Sequence, residues 1–484
     1  MANTNRNKPN IVFILTDDQG YWALGCNGND EILTPNIDNL AEEGVRFENF
    51  YCASPVCSPA RASLLTGRIP SQHGVHDWIR GGNVGNDRIE YLEGIKGYTD
   101  YLAENGYTCA LSGKWHLGAN ECPQKGFTYW YSHQRGGGDY YNAPMVKDGV
   151  LMNEPIYVTD AITENALDFM GKMSSECNPF YLSIHYTAPH SPWLNCHPKQ
   201  LTDLYKDCEF HSCKAHPRHP DMIISTAPDV HQEESFRDPR SSLIGYYASI
   251  TGVDNSVGKI INKLEELGEL ENTVIVFTSD NGFNCGQHGI WGKGNGTFPQ
   301  NMYDTSIKVP MIMRHPAGMK QGAVVKQLVS AYDFMPTLLD YVGIPCENTE
   351  SLPGRSFKSC ISRNAAELTG TADDFVVVFD EYGPVRMIRT KEYKYVFRYP
   401  FGPDEFYDLI KDPEEEFNQF SNPFYKDIIV SMRNQLGVWF KKYVCYDVDG
   451  VRERVWGNGQ VKKAGIHSKG EKAFIENCIV EKYN

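Results

Sequence analysis

Four short apolar segments, far apart in the chain, are each followed directly by polar or charged residues. They are NIVFILT (10–16) before DDQG, YTCALS (107–112) before GKWHLG, PFYLSI (179–184) before HYTAPHSP, and TVIVFTS (273–279) before DNGF. Their length and β-rich composition are typical of strands buried in a parallel sheet. Amphipathic helical patterns lie between them, at 34–45, 158–173 and 242–268. This alternation predicts an α/β fold whose sheet carries helices on both faces.

The polar residues after these segments indicate a ligand site. In open α/β sheets, ligands bind beyond the carboxyl ends of the strands. Asp17, Lys114, His190 and Asp280 each follow one of the four predicted strands. We therefore expect them to meet at one edge of the sheet. Polar residues end strands in many proteins, but four such ends together favour a functional cluster.

Composition narrows the class of protein. Of the 484 residues, 41% are hydrophobic and 22% charged, as in an ordinary globular chain. The net charge of −15 disfavours a general nucleic-acid-binding protein, so any anion is expected to bind a local cluster of cations. No apolar segment is long enough to span a bilayer, and we expect no membrane partner.

The N-terminus and the cysteines give an expectation for the cellular compartment of the protein. MANTNRNKPN precedes only a short apolar run, IVFIL, without a signal-peptide pattern. We expect a cytoplasmic protein, or a periplasmic or secreted one if a leader has been removed. The 14 cysteines form no dense framework and are expected to be mostly reduced. Residues 196–219 are rich in cysteine and histidine, but their spacing fits no common zinc template and favours a loop or substrate-facing insertion.

The C-terminal part of the chain has its own pattern. Residues 361–374 are mostly small and polar and are interpreted as a linker, and strand-like segments follow from FVVVFDEY (375–382) onward. This predicts a catalytic domain over 1–370 and a smaller subdomain over 371–484. Residues 452–484 show no clear pattern.

Two of the predicted strand ends carry oxygen ligands for a metal. Asp17, Asp18, Asp280 and Asn281 offer three carboxylates and one amide oxygen, which suit Ca²⁺ or Mg²⁺. Neighbouring acids repel each other unless a cation lies between them. The alternative is structural: Asp18 caps a helix, and Asp280 with Asn281 forms a turn.

The stretch SPVCSPARASLLTGR (54–68) places Cys57 at the start of a predicted helix, between two prolines and one turn before Arg61. It resembles the signature of the type I sulfatases, in which Cys57-Ser58-Pro59-Ala60-Arg61 matches the C-x-P-x-R motif. Further blocks match in the same order: NIVFILTDDQG, GKWHLG, the Ala-Pro-His that ends at His190, SDNG, and WGKG at 291–294. The resemblance extends from residue 10 to about residue 420.

The resemblance implies an alkaline-phosphatase-like fold, with a mixed sheet between helices and a smaller C-terminal α+β subdomain carrying an antiparallel sheet. It also implies that a maturation enzyme recognises the motif and oxidises Cys57 to formylglycine. In the family, one hydroxyl of the hydrated aldehyde attacks sulfur, and deprotonation of the other expels sulfate. The expected activity is hydrolysis of a sulfate monoester.

Roles for the matching residues follow from the same resemblance. Arg61, Lys114 and His116 would hold or deprotonate the formylglycine hydroxyls. His190 and Lys293 would contact the sulfate and the leaving oxygen, one of them as general acid. The metal ligands would be Asp17, Asp18, Asp280, Asn281 and the oxygen derived from Cys57. The expected ion is Ca²⁺ rather than Mg²⁺.

Candidate substrate contacts lie near these motifs. HGVHDWIRGG (73–82) follows the signature helix, so Trp78 is a candidate for stacking on a sugar and Arg80 for binding a carboxylate or second sulfate. Ordinary packing of Trp78 is the alternative. His288 is a third candidate, and the loop HQRGGGDYYNAP (133–144) a fourth. Aromatic and cationic residues beside a sulfatase centre favour a sulfated carbohydrate, such as a glycosaminoglycan fragment.

Other functions remain open at this point. The first is a phosphomonoester, phosphodiester or phosphonate hydrolase of the same superfamily, since some of these also use formylglycine. The second is a binding protein on a sulfatase scaffold, although competent residues occupy the expected catalytic positions. A redox role for the cysteines is disfavoured because the sequence has no Cys-x-x-Cys motif.

Overall fold

The computed structural model describes residues 8–176, 178–214, 216–223, 232–363, 375–380, 385–399 and 402–476. Its strands are β1 (Asn10–Thr16), β2 (Val45–Phe47), β3 (Phe50–Tyr51), β4 (Thr108–Gly113), β5 (Phe127–His133), β6 (Ala143–Lys147), β7 (Val150–Glu154), β8 (Phe180–His185), β9 (Thr273–Ser279), β10 (Asn284–Cys285), β11 (Trp291–Gly292), β12 (Met311–Arg314), β13 (Ala323–Val325), β14 (Val329–Ser330), β15 (Phe375–Asp380), β16 (Val385–Thr390), β17 (Tyr393–Arg398) and β18 (Glu405–Asp408). Its α-helices are α1 (Pro35–Glu43), α2 (Cys57–Thr66), α3 (Pro70–His73), α4 (Tyr98–Glu104), α5 (Val158–Met173), α6 (Lys199–Thr202), α7 (Gln232–Arg237), α8 (Pro239–Glu266), α9 (Asp304–Ile307), α10 (Phe334–Tyr341), α11 (Lys358–Ile361) and α12 (Lys426–Tyr443).

A ten-stranded mixed sheet forms the centre of the protein, in the order β13-β2-β12-β9-β1-β8-β4-β5-β6-β7. The five strands β9, β1, β8, β4 and β5 run parallel to one another, and antiparallel strands flank them on both sides. All four strands predicted from the sequence lie in this parallel group. Their carboxyl ends therefore share one edge of the sheet.

The central strands β1, β8 and β9 are buried on both faces, which explains why they are apolar along most of their length. Along β1, Phe13 and Leu15 join the core on the side of α2, α4 and α10, whereas Val12 and Ile14 join the core beneath α1, α5 and α8. This is the sandwich of helices, sheet and helices that the sequence predicted.

The smaller C-terminal sheet is an antiparallel meander, β15-β16-β17-β18, with α12 packed against it. Alternate residues of its strands, including Val376 and Val378, join the core of the large sheet. The antiparallel sheet agrees with the sequence prediction. The predicted linker at 361–374 and the predicted domain boundary at 370/371 fall mostly or wholly outside the described residues, so that division stays a prediction.

Local sequence explains where two of the helices begin. Pro35 is the first residue of α1, where its missing N–H costs no helical hydrogen bond. Helix α8 starts three residues before the predicted position, because the Asp238 carboxylate caps it by accepting from the Ser241 N–H at 3.0 Å. Within the described ranges, no helix is both long enough and apolar enough to cross a membrane.

Candidate active site

The predicted convergence of strand ends is present in the structure. Asp17 and Asp18 follow β1, and Asp280 follows β9, whose last residue pairs with Thr16. The Asp280 N–H donates to the Thr16 carbonyl at 3.2 Å, and the Asp18 N–H donates to Asp280 Oδ1 at 3.2 Å. Lys114 follows β4, and its N–H donates to the carbonyl of His185, the last residue of β8. Parallel pairing thus joins residues that are more than 250 positions apart.

The three carboxylates form a buried cluster. Asp17, Asp18 and Asp280 each offer an oxygen within 4.8 Å of the others, and each side chain is almost fully enclosed. Asn281 lies beside them and donates from Nδ2 to Asp18 Oδ1 at 2.8 Å. Burial, with Asp17 as the next cause, raises the pKa of Asp280.

This donor set fits a hard divalent cation. Asp17 Oδ1 and Asn281 Oδ1 are buried and have no hydrogen-bond partner among the described residues. A buried acceptor without a partner is costly, and a cation bound by oxygen ligands would satisfy both atoms. The residues present therefore fit a divalent metal ion.

Helix α2 carries Cys57 at its first turn and Arg61 one turn later. The Arg61 side chain donates from Nε to Asp280 Oδ2 at 2.8 Å and from Nη1 to the Lys114 carbonyl at 3.0 Å. Its Nη2 lies 4.0 Å from Asp17 Oδ1 and has no hydrogen-bond partner in the described part of the chain. That N–H group is available to an anion near Cys57.

Two lysines neutralise the acidic cluster. Lys114 Nζ pairs with Asp17 Oδ2, and Lys293 Nζ lies 2.5 Å from Asp18 Oδ1. Burial would raise the pKa of both aspartates, but the neighbouring positive groups together outweigh it, chiefly Lys114 for Asp17 and Lys293 for Asp18, so both pKa values are lowered. Burial would lower the pKa of Lys293, but the surrounding negative groups together outweigh this, with Asp18 foremost, and raise it. Lys293 is therefore charged at neutral pH.

The two predicted catalytic histidines have defined hydrogen bonds. His116 Nε2 lies 2.9 Å from the Ile79 carbonyl and must donate to it, which leaves Nδ1 as an acceptor without a partner in the described residues. Burial and then Lys114 hold the pKa of His116 well below its usual value. His190 Nδ1 donates to the Ser191 carbonyl at 2.7 Å, and its Nε2 lies 3.7 Å from Asp18 Oδ2.

Cys57 is 4% exposed, and burial raises the pKa of its thiol although Lys114 and Lys293 oppose the change. An unmodified thiol here would be protonated and a poor nucleophile. Arg61, Lys114, Lys293 and the acidic cluster nevertheless surround this position.

The candidate substrate residues lie in two places. Trp78 is half-buried, packs against the apolar residues around Cys57, and donates from Nε1 to the Gly457 carbonyl at 3.2 Å. Arg80 is exposed, lies over the Trp78 ring at 5.6 Å, and donates to the Asn458 carbonyl. His288 instead stacks on Tyr303, with ring centroids 3.7 Å apart.

Sequence reasoning missed two features of the site. His185 ends β8, and its Nδ1 lies 3.0 Å from the Lys114 carbonyl; its position at a strand end was a usable signal. Residues 455–475, where the sequence showed no pattern, pack beside Cys57 and Trp78. No local signal reveals that contact.

Known protein families match most of this chain. The sequence model described as "Sulfatase" matches residues 9–344, about two thirds of the chain. The chain belongs to the sulfatase family. A second model, "N-sulphoglucosamine sulphohydrolase, C-terminal", matches residues 286–442 of this sulfatase. The family and the activity class predicted from the Cys57 signature, a sulfuric ester hydrolase, are thereby confirmed.

Relatives span nearly the whole of this sulfatase. It is 28% identical to an N-acetylglucosamine-6-O-sulfatase of Bacteroides thetaiotaomicron, covering 97% of this chain and 91% of that protein. It is 31% identical to an ulvan-active sulfatase of Formosa agariphila, over 92% and 83%. A solved structure of a protein in complex with its substrate, D-glucosamine-2-N,6-O-disulfate, matches with a TM-score of 0.76 at 26% identity, over 92% and 100%. These neighbours confirm the predicted alkaline-phosphatase-like fold.

Proposed function

We propose that this sulfatase hydrolyses a sulfate monoester on a sugar, at a centre formed by Cys57 after conversion to formylglycine. The observation that carries the proposal is the position of Cys57, at the start of α2 beside Arg61 and a buried acidic cluster that fits a divalent cation. The sulfated-sugar substrate is supported by relatives named for N-acetylglucosamine 6-sulfate and for ulvan.

Two groups complete the proposed chemistry. Formylglycine at position 57 would supply, as its hydrate, the hydroxyl that attacks sulfur and a second hydroxyl from which the aldehyde is restored as sulfate leaves. A divalent cation would be held by Asp17, Asp18, Asp280 and Asn281 and would supply Lewis-acid catalysis.

Three residues, Arg61, Lys114 and His116, act on the group at position 57. Arg61 Nη2, which has no partner among the described residues, donates to an oxygen there and orients it. His116 Nδ1 has no hydrogen-bond partner among the described residues, so its lone pair accepts a proton from a hydroxyl and releases it again. Lys114 pairs with Asp17 and stabilises negative charge in the transition state.

Two further residues, Lys293 and His190, act on the sulfate and on the leaving group. Lys293 remains charged and binds an oxygen of the sulfate. His190 Nε2 faces the acidic cluster, while its Nδ1 is fixed by the Ser191 carbonyl. When protonated at Nε2, His190 donates that proton to the ester oxygen as the sulfur–oxygen bond breaks.

The charge of the site suits a sulfate anion. Within the described residues, three carboxylates are balanced by three cationic side chains: Asp17, Asp18 and Asp280 against Arg61, Lys114 and Lys293. A divalent cation held there would make the site positive, although the whole chain is strongly acidic. The backbone N–H groups and dipole at the start of α2 add to this local field.

Substitution of Cys57 tests the proposal. We expect Cys57→Ala to lower kcat/KM on a sulfated sugar by at least about 1,000-fold, because the nucleophile is lost. Cys52→Ala is the matched control, since it removes a second buried thiol nearby and leaves the motif intact. Mass spectrometry of the peptide that spans residues 52–61 shows whether Cys57 carries the aldehyde.

The substrate assay uses sulfated mono- and disaccharides, a simple aryl sulfate and matched phosphate esters. Faster sulfate release from a saccharide than from the aryl ester supports the proposal. Activity on the aryl ester alone would contradict the sugar assignment, and a higher kcat/KM on the phosphate esters would favour a phosphoester hydrolase. Full activity of Cys57→Ala would contradict the mechanism itself.

A further inference from the structure

Residues 455–475, here called the tail segment, lie beyond both family matches, which end at 344 and 442. The sequence gives no pattern for them, yet the structure places them at the nucleophile. Val455, Ala464, Ala473 and Phe474 are all at least 94% buried and form one apolar cluster with Val56 and Cys57. The segment therefore contributes a wall to the site that the family models do not describe.

Gln460 anchors this segment through its backbone. Its N–H donates to the Trp78 carbonyl at 2.8 Å, and its carbonyl accepts from the Arg80 N–H at 2.9 Å. These bonds pair Gln460 with Ile79 in a short parallel bridge. The loop 78–81 thus takes its position from the tail segment.

The Gln460 side chain is fully buried and strengthens the same attachment. Its Oε1 accepts from the His76 N–H at 2.9 Å, and its Nε2 donates to the Gly74 carbonyl at 2.9 Å and to the Lys462 carbonyl at 3.0 Å. A second buried link is Asp77, whose carboxylate accepts from the N–H groups of Trp78 and Gly459 at 2.7 and 3.0 Å. The Gln460 amide and the Asp77 carboxylate thus join the tail segment to residues 74–78 through several hydrogen bonds.

The loop in turn fixes His116. The Ile79 carbonyl accepts from His116 Nε2 at 2.9 Å, and the Ile79 N–H donates to Ser58 Oγ at 3.0 Å. Ser58 Oγ donates to the His116 carbonyl at 3.0 Å. Ring tautomer, ring direction and backbone of His116 are therefore all set by Ile79 and Ser58.

We propose that Gln460 is a positioning residue for His116, acting through Ile79, and that the tail segment is a necessary part of the active site. The inference rests on the proposed function insofar as His116 moves a proton at Cys57. The side chain of Gln460 orders the loop 78–81, and the Ile79 carbonyl of that loop accepts a hydrogen bond from His116 Nε2–H. His116 Nδ1 then has a lone pair without a hydrogen-bond partner among the described residues and can accept a proton. No contact between Gln460 and the substrate is required.

A double-mutant cycle tests this relay. We expect Gln460→Ala to lower kcat by about 10- to 100-fold with little change in KM, because the orientation of a proton-transfer group is lost. In a His116→Ala background the same substitution should lower kcat less than about twofold. Equal losses in both backgrounds would overturn the proposal, because a purely structural effect does not depend on His116.

A second readout does not depend on activity. Histidine-selective ¹⁵N labelling gives a hydrogen-bonded Nε2–H signal that His116→Ala removes and thereby identifies. We expect that signal to shift or disappear in Gln460→Ala and to persist in Ile466→Ala, a control on the tail segment whose side chain is 63% exposed. An unchanged signal in Gln460→Ala would overturn the inference, whether or not the wild-type protein hydrolyses sulfate esters.

Folding defects are separated by a milder change. If Gln460→Ala does not fold, Asp77→Asn keeps the side-chain volume and weakens the other buried link to the tail segment. As expected for Gln460→Ala, this change should lower kcat and shift or remove the His116 signal. Unchanged values would contradict the proposal. Wild-type protein that is inactive on every sulfate ester, with an intact relay signal, would instead count against the proposed function alone.

Discussion

At the scale of single residues, two residues of the site have an uncommon backbone conformation. Asp18 and His116 both have positive φ, at 63° and 57°, a region that non-glycine residues seldom adopt. Such strain persists where surrounding contacts fix it, and both residues are held by buried hydrogen bonds. The local conformation at the site is thus set by its partners and not by residue preference.

Metal binding is predicted at this scale. After treatment with a chelator, added Ca²⁺ or Mg²⁺ should raise the Tm, since a ligand at 100 times its Kd stabilises a protein by about 2.7 kcal/mol. Asn281→Ala should reduce this increment because it removes the unpartnered amide oxygen. Asn39→Ala, on the exposed surface of α1, should leave it unchanged. Scanning fluorimetry with each ion measures the effect, and no shift with either would contradict the metal assignment.

At the scale of elements, the parallel strands place the proposed catalytic residues, and the loops between strands then enclose them. The loop after β5 brings Gly136 against the His116 ring. A Cβ at Gly136 would meet His116 Cε1 at 2.1 Å and Nε2 at 2.4 Å. The Gly-rich loop predicted to bind substrate therefore also packs on a proposed catalytic residue, and that packing requires a residue without a side chain.

Gly136→Ala is expected to lower kcat by about 10-fold or more and stability by about 1–3 kcal/mol, since the added methyl displaces a buried, hydrogen-bonded ring. The matched control is Gly171→Ala in α5, where a Cβ meets nothing within 4 Å. That change should stabilise the protein by up to about 1 kcal/mol through helix propensity. Kinetics and urea unfolding measure both, and wild-type kinetics in Gly136→Ala would contradict the steric argument.

At the scale of the whole molecule, a buried ion cluster joins helix α9 to the small C-terminal sheet. Asp304, at the start of α9, binds Arg389 of β16 at 3.0 Å and Lys394 of β17 at 2.7 Å. Lys394 is fully buried and also pairs with Glu415, whose carboxylate accepts from the Asp304 N–H. Burial would raise the pKa of Asp304, but Arg389 and Lys394 outweigh it and lower it.

Asp304→Asn should destabilise the protein by about 3–5 kcal/mol, because it leaves buried Arg389 without its carboxylate and Lys394 with Glu415 alone. Asp340→Asn is the control, since Asp340 pairs with Lys358 at 3.0 Å on the exposed surface and should contribute about 1 kcal/mol or less. Urea midpoints of the two variants compare them directly. Equal shifts would show that the buried cluster does not hold α9 on the small sheet.

Much of the fold follows from local sequence patterns. The strand 10–16 and the strand 273–279 lie where their apolar runs predicted them, and the signature helix begins at Cys57 as expected. Continuous apolar runs identify strands that are buried on both faces, and the residues after them mark the catalytic edge. The predicted start of α8 was wrong by three residues, because Asp238, which caps the helix, lies outside the apolar pattern.

The sequence by itself determined the sulfatase family, the α/β sheet and the set of residues around Cys57, since these are carried by contiguous motifs and by strand ends. Only the tertiary structure decided how the site is closed. The tail segment reaches Cys57, Gln460 orders Ile79, and Gly136 packs on His116 across long stretches of chain. The physical reason is that these contacts depend on backbone hydrogen bonds and packing distances between distant segments, which leave no period or motif in the sequence.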